Sequence, residues 1–230
     1  MFGFRFRVKY AAATLAAVFV ASGASSLHAQ FFPHPRRETN ANRRARIERT
    51  IQDTYSHKWE VAGGGGYLRF RSGELLQKNN EVTFFLSGTR FFDPKFGIVA
   101  DVRGAYGNAK VGNTIYNINN PQISQYTFMG GPLYRFYRGE KVGVSVFGTA
   151  GAGIGKFDSG SKGIPAQNLG LWPSETRAVF SIGANLDYNF YPNLAFRITP
   201  TYLGSTWGGT VQNNLGVNLG VVYRFGRIHK

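Results

Sequence analysis

Four histidines, His28, His34, His57 and His229, are the side chains best suited to acid–base chemistry near neutral pH. Histidine commonly supplies the base in acyl-transfer chemistry, where it takes a proton from a nucleophilic hydroxyl. All four lie outside residues 58–225, where the strands described below are predicted. We therefore expect no Ser–His site, and no catalytic residue, in that part of the chain.

The sequence also lacks the residues that several other common kinds of site require. The chain contains no cysteine, which removes disulfides, thiolate nucleophiles and thiolate metal ligands. No cluster of His, Asp and Glu has the spacing of a metal site. Residues 148–155 include Gly-Ala-Gly-Ile-Gly, but neither the helix of a dinucleotide fold nor the Gly-Lys-Ser/Thr of a phosphate loop follows. We expect no metal and no cofactor, and we interpret these glycines as sites of close packing or bending. The glycines at 63–66 indicate either a bulge or a close approach of the backbone.

Alternation of apolar and polar residues predicts eight strands from residue 58 onward. The clearest run is 176–190, in which Ile182 and Leu186 share one face while Asn185 and Asp187 share the other. A side-chain period of two indicates a β-strand, because a helix repeats every 3.6 residues. The other predicted strands cover roughly 58–70, 80–91, 95–106, 123–137, 141–155, 193–204 and 214–225.

The lengths of the strands and of their connections favour a membrane barrel. Strands of about 11 residues or more exceed the usual five or six of soluble sheets and match the 9–11 needed to cross a bilayer at a tilt. Short connections are predicted at 92–94, 138–140 and 191–192, and longer polar ones at 71–79, 107–122, 156–174 and 205–213. Short turns on one side and long loops on the other are typical of outer-membrane barrels. The prediction is an all-β, eight-stranded, antiparallel up-and-down transmembrane β-barrel with both termini in the periplasm.

The period of two does not by itself say which face points inward, since a soluble barrel would bury the apolar face. The strand lengths and the aromatic residues near strand ends favour lipid on the apolar side, as in interfacial girdles. These aromatic residues are Trp59, Phe91, Phe92, Tyr134, Phe136, Tyr188, Phe190, Tyr191, Tyr202, Trp207, Tyr223 and Phe225. The other face mixes glycine with both signs of charge, which suits a narrow interior.

The predicted lumen then contains a network of polar side chains. Its members are Asp101, Arg103, Arg135, Asn185, Asp187, Arg197, Asn218 and Arg224, with Glu60 as a further candidate. These residues could line a pore or a proton path, or they could form an ion-paired plug. We favour the structural plug, because eight strands leave an interior just wide enough for side chains and an unpaired buried charge is costly. The arginines of the network are the expected partners of its two aspartates.

The N-terminus has the features of an export signal. Arg5, Arg7 and Lys9 precede an apolar run at 10–21, which is short for a membrane-spanning helix, and small residues follow up to Ala29. The alternative is an uncleaved anchor. We predict a signal peptide over 1–29.

Residues 30–57 are basic and polar, and they form a flexible periplasmic segment in which 38–52 could be a short helix. A solvated leader is favoured over an arm that contacts phosphate headgroups.

The end of the chain resembles the closing strand of bacterial outer-membrane barrels. Val221, Tyr223 and Phe225 alternate before a short tail at 226–230, and in that family such a pattern is recognised by the barrel-assembly machinery. Residues 58–225 resemble the OmpA-type, or outer membrane protein beta-barrel domain, families. The resemblance implies location in the cell outer membrane, contact with its lipid and lipopolysaccharide, and a monomer.

The families are defined by architecture more than by a catalytic signature, so the resemblance indicates fold better than function. We expect a non-enzymatic outer-membrane protein with a role in envelope integrity or surface interaction. The alternatives are a small passive channel and an enzyme that modifies lipid A, of the kind that uses a His/Ser pair. The net charge of +15 could attract nucleic acid, but the basic residues follow no nucleic-acid-binding motif, so we expect no such partner.

Signal cleavage can be tested directly. The small residues before Ala29 predict that the mature protein begins at Gln30 or within a few residues of it. N-terminal sequencing of protein purified from the outer membrane checks this, and a mature chain that still contains Arg5 would show that the segment is an anchor.

Overall fold

The computed structural model describes residues 39–111, 118 and 120–228. The predicted signal peptide and the start of the basic segment lie outside these residues. The described chain contains one α-helix, α1 (Asn40–Tyr55), followed by eight strands. The strands are β1 (His57–Arg71), β2 (Lys78–Phe91), β3 (Phe96–Asn108), β4 (Gln122–Arg138), β5 (Val142–Ser159), β6 (Glu175–Tyr191), β7 (Leu194–Ser205) and β8 (Gln212–Arg227). Short 3₁₀ turns lie at Ala166–Leu169 and Trp207–Gly209.

The strands form a closed antiparallel barrel in which each strand pairs with the next and β8 pairs with β1. This confirms the predicted fold class. The barrel extends slightly beyond the predicted limits of 58–225, because His57 pairs with Arg227. The N–H of Ile228 also donates to the carbonyl of Ser56 at 2.8 Å. Part of the predicted tail at 226–230 therefore belongs to the closing strand pair.

Helix α1 replaces part of the segment predicted to be flexible. It covers Asn40–Tyr55, whereas the sequence indicated at most a short helix over 38–52. Most of the helix is exposed, but Thr54 and Tyr55 are 1% and 2% exposed. The helix continues past residue 52 because burial of its last turn stabilises it, which the sequence pattern of the helix alone does not predict.

The two faces of each strand differ as predicted. Ile182 and Leu186 are 60% and 43% exposed, whereas Asn185 and Asp187 are each 4% exposed. Side chains that point into the barrel are buried, whereas side chains on its outer wall are exposed. The apolar set therefore faces lipid and the polar set faces the lumen.

Two bands of aromatic side chains mark the limits of the lipid-facing wall. The periplasmic band includes Trp59, Phe96, Phe136, Phe190 and Phe225, and the extracellular band is made of Tyr67, Tyr106, Tyr126 and Tyr202. Trp59 and Tyr67 lie on β1 about 26 Å apart along the strand, or about 20 Å along the membrane normal at a tilt of about 40°. This height is close to the apolar band of about 25 Å expected of outer-membrane barrels.

Two residues of the predicted girdles do not belong to them. Phe91 is 2% exposed and Trp207 is fully buried, so both lie inside the barrel. Phe91 has the inward parity of β2, and Trp207 belongs to a connection that folds into the extracellular mouth. Proximity to a strand end was therefore not sufficient to place an aromatic residue at the lipid surface.

The glycines of β1 allow β1 and β8 to approach closely. A Cβ added to Gly64 would lie 2.0 Å from the carbonyl oxygen of Leu219, and one added to Gly66 would lie 2.3 Å from that of Val217. The pairing of β1 is continuous from Trp59 to Arg71. Of the two interpretations of this run, close approach is correct, and no bulge interrupts the register at the glycines.

An arginine on the lipid-facing wall tests the orientation. Ile182→Arg places a charge near the middle of β6 and should lower the free energy of unfolding in bilayers by roughly 2–4 kcal/mol. The matched control Phe190→Arg lies in the periplasmic aromatic band, where the cost should be about 0–1 kcal/mol. Urea titration of refolding into vesicles measures both values. Equal costs at the two positions would contradict the assigned membrane depth.

Candidate functional site

Glu60 is the centre of an ion-pair network at the periplasmic end of the lumen. The residue is 2% exposed, and its carboxylate accepts hydrogen bonds from three guanidiniums. Oε1 accepts from Arg135 Nη2 at 2.5 Å and from Arg224 Nε at 2.7 Å, and Oε2 accepts from Arg197 Nη2 at 3.0 Å. These residues come from β1, β4, β7 and β8, so a single carboxylate links four strands.

Asp187 on β6 is the second carboxylate of this network. Arg197 donates to both of its oxygens, at 2.6 and 2.8 Å, and Arg224 Nη2 donates to Oδ2 at 3.0 Å. The Arg197–Asp187 contact is bidentate, which is the strongest geometry for this pair. Three guanidiniums therefore share two carboxylates.

The guanidiniums outnumber the carboxylates, and neutral groups accept further hydrogen bonds from two of them. The carbonyl of Pro94 accepts from Arg135 Nη1 at 3.1 Å, and Asn189 Oδ1 accepts from Arg224 Nη1 at 2.8 Å. The Arg135 guanidinium carbon also lies 3.9 Å from the centre of the Phe91 ring, a cation–π distance.

Tyr55, the last residue of α1, closes the periplasmic mouth over this network. Its hydroxyl donates to the carbonyl of Gly139 at 3.0 Å and accepts from Asn189 Nδ2 at 3.0 Å. Its ring lies 4.9 Å from the Arg135 guanidinium carbon. Burial raises the pKa of Tyr55, so the phenol remains a neutral donor. Sequence reasoning missed this residue, although Ile47, Ile51 and Tyr55 follow the spacing of one helix face.

Asp101 and Arg103 form a separate pair higher in the lumen. Arg103 Nε and Nη2 both donate to Asp101 Oδ2, at 2.8 and 2.5 Å. The remaining predicted residues, Asn185 and Asn218, bond to hydroxyls: each accepts from a threonine, Thr199 at 3.0 Å and Thr83 at 2.9 Å respectively. The predicted set thus divides into one network on five strands, one pair and two amides, and no single cluster contains all of it.

Two cavities of about 20 Å³ each lie in this middle part, and Arg103 and Asn218 line both. That volume accommodates about one water molecule. Asp101 Oδ1 has no hydrogen-bond partner among the described residues and belongs to a residue lining the second cavity. A water molecule there would satisfy it.

Glu81 is a buried carboxyl that sequence reasoning missed. It is 1% exposed and accepts from Gln125 Nε2 at 2.5 Å and from Asn79 Nδ2 at 3.3 Å. No lysine or arginine forms an ion pair with it among the residues that the structure describes. The period of β2 would have located it, because Glu81 shares the inward parity of Ser87 and Thr89.

An apolar plug fills the extracellular end of the lumen. Trp207 packs edge-on against Phe70 and Phe157, with ring centroids 5.6 and 5.7 Å apart. Leu169 and Trp172, from the connection between β5 and β6, belong to the same buried cluster. The long connections at 156–174 and 205–213 were predicted to be polar, and this was wrong, because their few large apolar residues turn inward. A Cβ at Gly155 would lie 2.5 Å from the Phe157 ring, so the glycine-rich run makes room for the plug.

The lumen is therefore sealed at both ends by different chemistry, ionic at the periplasmic end and apolar at the extracellular end. Within the part of the chain that the structure describes, no group of three or more His, Asp or Glu side chains is arranged to hold a metal. In the same residues, no helix has the length and apolarity needed to cross a membrane. The ion pairs link strands of the barrel to one another, and the apolar plug fills the extracellular end of the lumen.

Comparisons with known proteins agree with this architecture. Residues 45–225 match the family described as "Outer membrane protein beta-barrel domain". Among solved structures, Neisserial surface protein A is 14% identical with a TM-score of 0.55, over 73% of this chain and 97% of that one. OprG from Pseudomonas aeruginosa is 13% identical with a TM-score of 0.48, over 74% and 98%. The attachment invasion locus protein of Yersinia pestis is 22% identical with a TM-score of 0.46, over 74% and 99%.

At 14% identity, the likeness to Neisserial surface protein A shows a shared fold and nothing finer. The search of curated proteins found no match. The family match, which covers most of the chain, is what decides its membership. The chain belongs to the outer membrane protein beta-barrel domain family, and it is a protein of the bacterial outer membrane.

Proposed function

We propose that this chain is a non-enzymatic, non-conducting barrel with a structural or surface-interaction role in the envelope. The observation that carries the proposal is the double seal of the lumen. Tyr55 and the Glu60 network block the periplasmic end, and the cluster around Trp207 blocks the extracellular end. A barrel with both ends closed presents its outer wall and its loops, and not a passage, to other molecules.

The alternative of a small passive channel requires a continuous water-filled path. The cavities in the middle of the lumen accommodate about one water each, and Arg103, which lines both, is bonded to Asp101. An ion entering from the periplasm would also have to separate guanidiniums from carboxylates at 2.5 to 3.0 Å. These contacts support a plug.

The alternative of a lipid A-modifying enzyme lacks a base of the required kind. Residues 58–225 contain no histidine. His57 lies at the periplasmic start of β1, where its Nδ1 is 3.2 Å from the carbonyl oxygen of Thr54. The buried carboxylates of the Glu60 network are held by arginines within the lumen and do not reach lipid, which supports a non-enzymatic role.

The proposed partners are outer-membrane lipid, lipopolysaccharide and, during assembly, the barrel-assembly machinery. The residues proposed as the assembly signal, Val221, Tyr223 and Phe225, are 41%, 52% and 42% exposed on the outer wall of β8. They are therefore accessible from the side of the strand that a protein in the membrane would meet.

Conductance and envelope measurements test the proposal together. Purified protein in planar bilayers should give no steady conductance, and a deletion strain should show increased sensitivity to detergents or to serum. Its lipid A mass spectrum should be unchanged. Reproducible single-channel steps from the wild type would favour the channel, and an altered lipid A spectrum would favour the enzyme.

A substitution in the network should affect stability and not transport. Asp187→Asn removes one of two carboxylates that balance three guanidiniums, so it should lower the free energy of unfolding by about 3–5 kcal/mol. Denaturant titration in detergent measures this, and planar bilayers should still show no conductance. The control Asp93→Asn changes an exposed carboxyl in a periplasmic turn and should have little effect. Conductance in Asp187→Asn without loss of stability would contradict a structural role.

The Tyr55 cap has a pH signature. Because its pKa is raised in the folded state, the hydrogen bond to Gly139 is fully present below the ordinary tyrosine pKa of 10.0. Its contribution is lost as the pH rises through the higher folded value. Tyr55→Phe should cost about 1 kcal/mol at neutral pH and should remove this alkaline component. A difference in stability between wild type and Tyr55→Phe that is the same at pH 8 and pH 12 would contradict the assigned bond.

A further inference from the structure

We infer that the extracellular rim of β1 and β2 binds a phosphate group of an outer-leaflet glycolipid through Arg71 and Lys78. The inference rests on the proposed function and deepens it, because it names where lipopolysaccharide would contact the wall. Without a bound anion, two positive side chains face each other at this rim, and their repulsion lowers the stability of the protein.

Arg71 and Lys78 are directly opposite each other in the β1–β2 register. Both have outward parity, since Tyr67 and Arg69 on β1 and Val82 on β2 are exposed on the same face. Like charges that face each other across a strand pair are destabilising. An anion bound between Arg71 and Lys78 would attract both side chains and offset their mutual repulsion.

These cations have few partners within the protein. Lys78 Nζ donates to the backbone carbonyl of Asn213 at 3.0 Å, a neutral acceptor. The side chains of Arg69 and Arg71 form no hydrogen bond or ion pair with the residues that the structure describes. Guanidinium donors are therefore available to a ligand, and a guanidinium matches the geometry of phosphate.

A pocket lies beside the pair. Its volume is about 220 Å³, several times the roughly 30 Å³ that a water molecule occupies in the liquid, and its lining includes Arg71, Glu74, Lys78 and Trp172. Trp172 holds the backbone in place, because its indole Nε1 donates to the carbonyl of Arg71 at 3.0 Å. Glu74 is the single acid in the lining, so the charged lining is net positive. The space accommodates a phosphate together with part of the sugar that carries it.

The height of the pair above the membrane identifies the source of the phosphate. Arg71 is four residues beyond Tyr67 on β1, about 13 Å along the strand or about 10 Å along the membrane normal. Tyr67 belongs to the extracellular aromatic band, which marks the boundary of the hydrocarbon. The cations thus lie in the headgroup layer of the outer leaflet and face lipid, where a glycolipid phosphate approaches laterally.

Lipid binding by a charge-matched set of variants tests the inference. Arg71→Gln with Lys78→Gln removes the proposed ligands, and Lys110→Gln with Lys156→Gln removes two other exposed lysines, from the β3–β4 connection and the end of β5. The mature protein is refolded in detergent, and native mass spectrometry counts bound bisphosphorylated lipid A, bound lipid A without phosphates, and inorganic phosphate. Heat-modifiable gel migration confirms that each variant is folded.

The wild type should prefer bisphosphorylated over dephosphorylated lipid A by at least about tenfold, as expected for charge-assisted hydrogen bonds from two side chains. The Arg71/Lys78 variant should lose most of this preference, and the Lys110/Lys156 variant should keep it. The Arg71/Lys78 variant should also unfold at an equal or higher denaturant concentration, since it lacks the like-charge contact.

Three results would overturn the inference. They are equal binding of both lipid A forms by the wild type, an unchanged preference in the Arg71/Lys78 variant, and occupancy by inorganic phosphate without occupancy by lipid A. Conductance measured on the same preparations separates this outcome from the proposed function. A wild type that neither conducts nor prefers phosphorylated lipid A overturns the lipid site alone, whereas a conducting wild type overturns the sealed-barrel proposal.

Discussion

The Glu60 carboxylate accepts hydrogen bonds from arginines on β4, β7 and β8. The other side chains at the periplasmic end of the lumen are arranged around these buried ion pairs. A narrow barrel forces inward charges together, and a buried charge without a partner would destabilise it strongly. Asp187 supplies the second carboxylate, Asn189 and Pro94 supply neutral acceptors, and Phe91 and Tyr55 cover the guanidiniums with aromatic faces. The position of helix α1 follows from the same network, because its terminal tyrosine completes it.

The two ends of the lumen are filled by different parts of the chain. At the periplasmic end, where turns are short, charged side chains from the strands fill the space. At the extracellular end, where connections are long, the connections themselves fold inward and bring Trp172, Leu169 and Trp207 over the mouth. The middle contains the Asp101–Arg103 pair and two water-sized cavities. The outer wall carries exposed apolar side chains on every strand, because every strand faces lipid.

Strand positions and their facing follow from sequence because a side-chain period of two is a local property, and in β6 it places Ile182 and Asp187 on opposite faces without any knowledge of partners. The pairs within the network do not follow, because strand stagger decides which inward residues meet. Glu60 was only a further candidate since the neighbouring glycines interrupt the pattern of β1. Tyr55 and Trp207 were misjudged for a related reason: each lies outside a strand, and tertiary packing brings it into the lumen.

The close approach of β1 and β8 at Gly64 and Gly66 has a consequence for folding kinetics. The Glu60–Arg224 bond across this seam joins residues 164 positions apart in the chain, which is a contact of very high sequence separation. Such contacts form late, because the loop-closure entropy must be lost before they contribute. Glycines at the seam remove steric obstacles from that final step, and the ion pairs that form with it then oppose reopening. Interactions that form after the transition state act mainly on the unfolding rate, so we expect the seam to contribute mainly to slow unfolding.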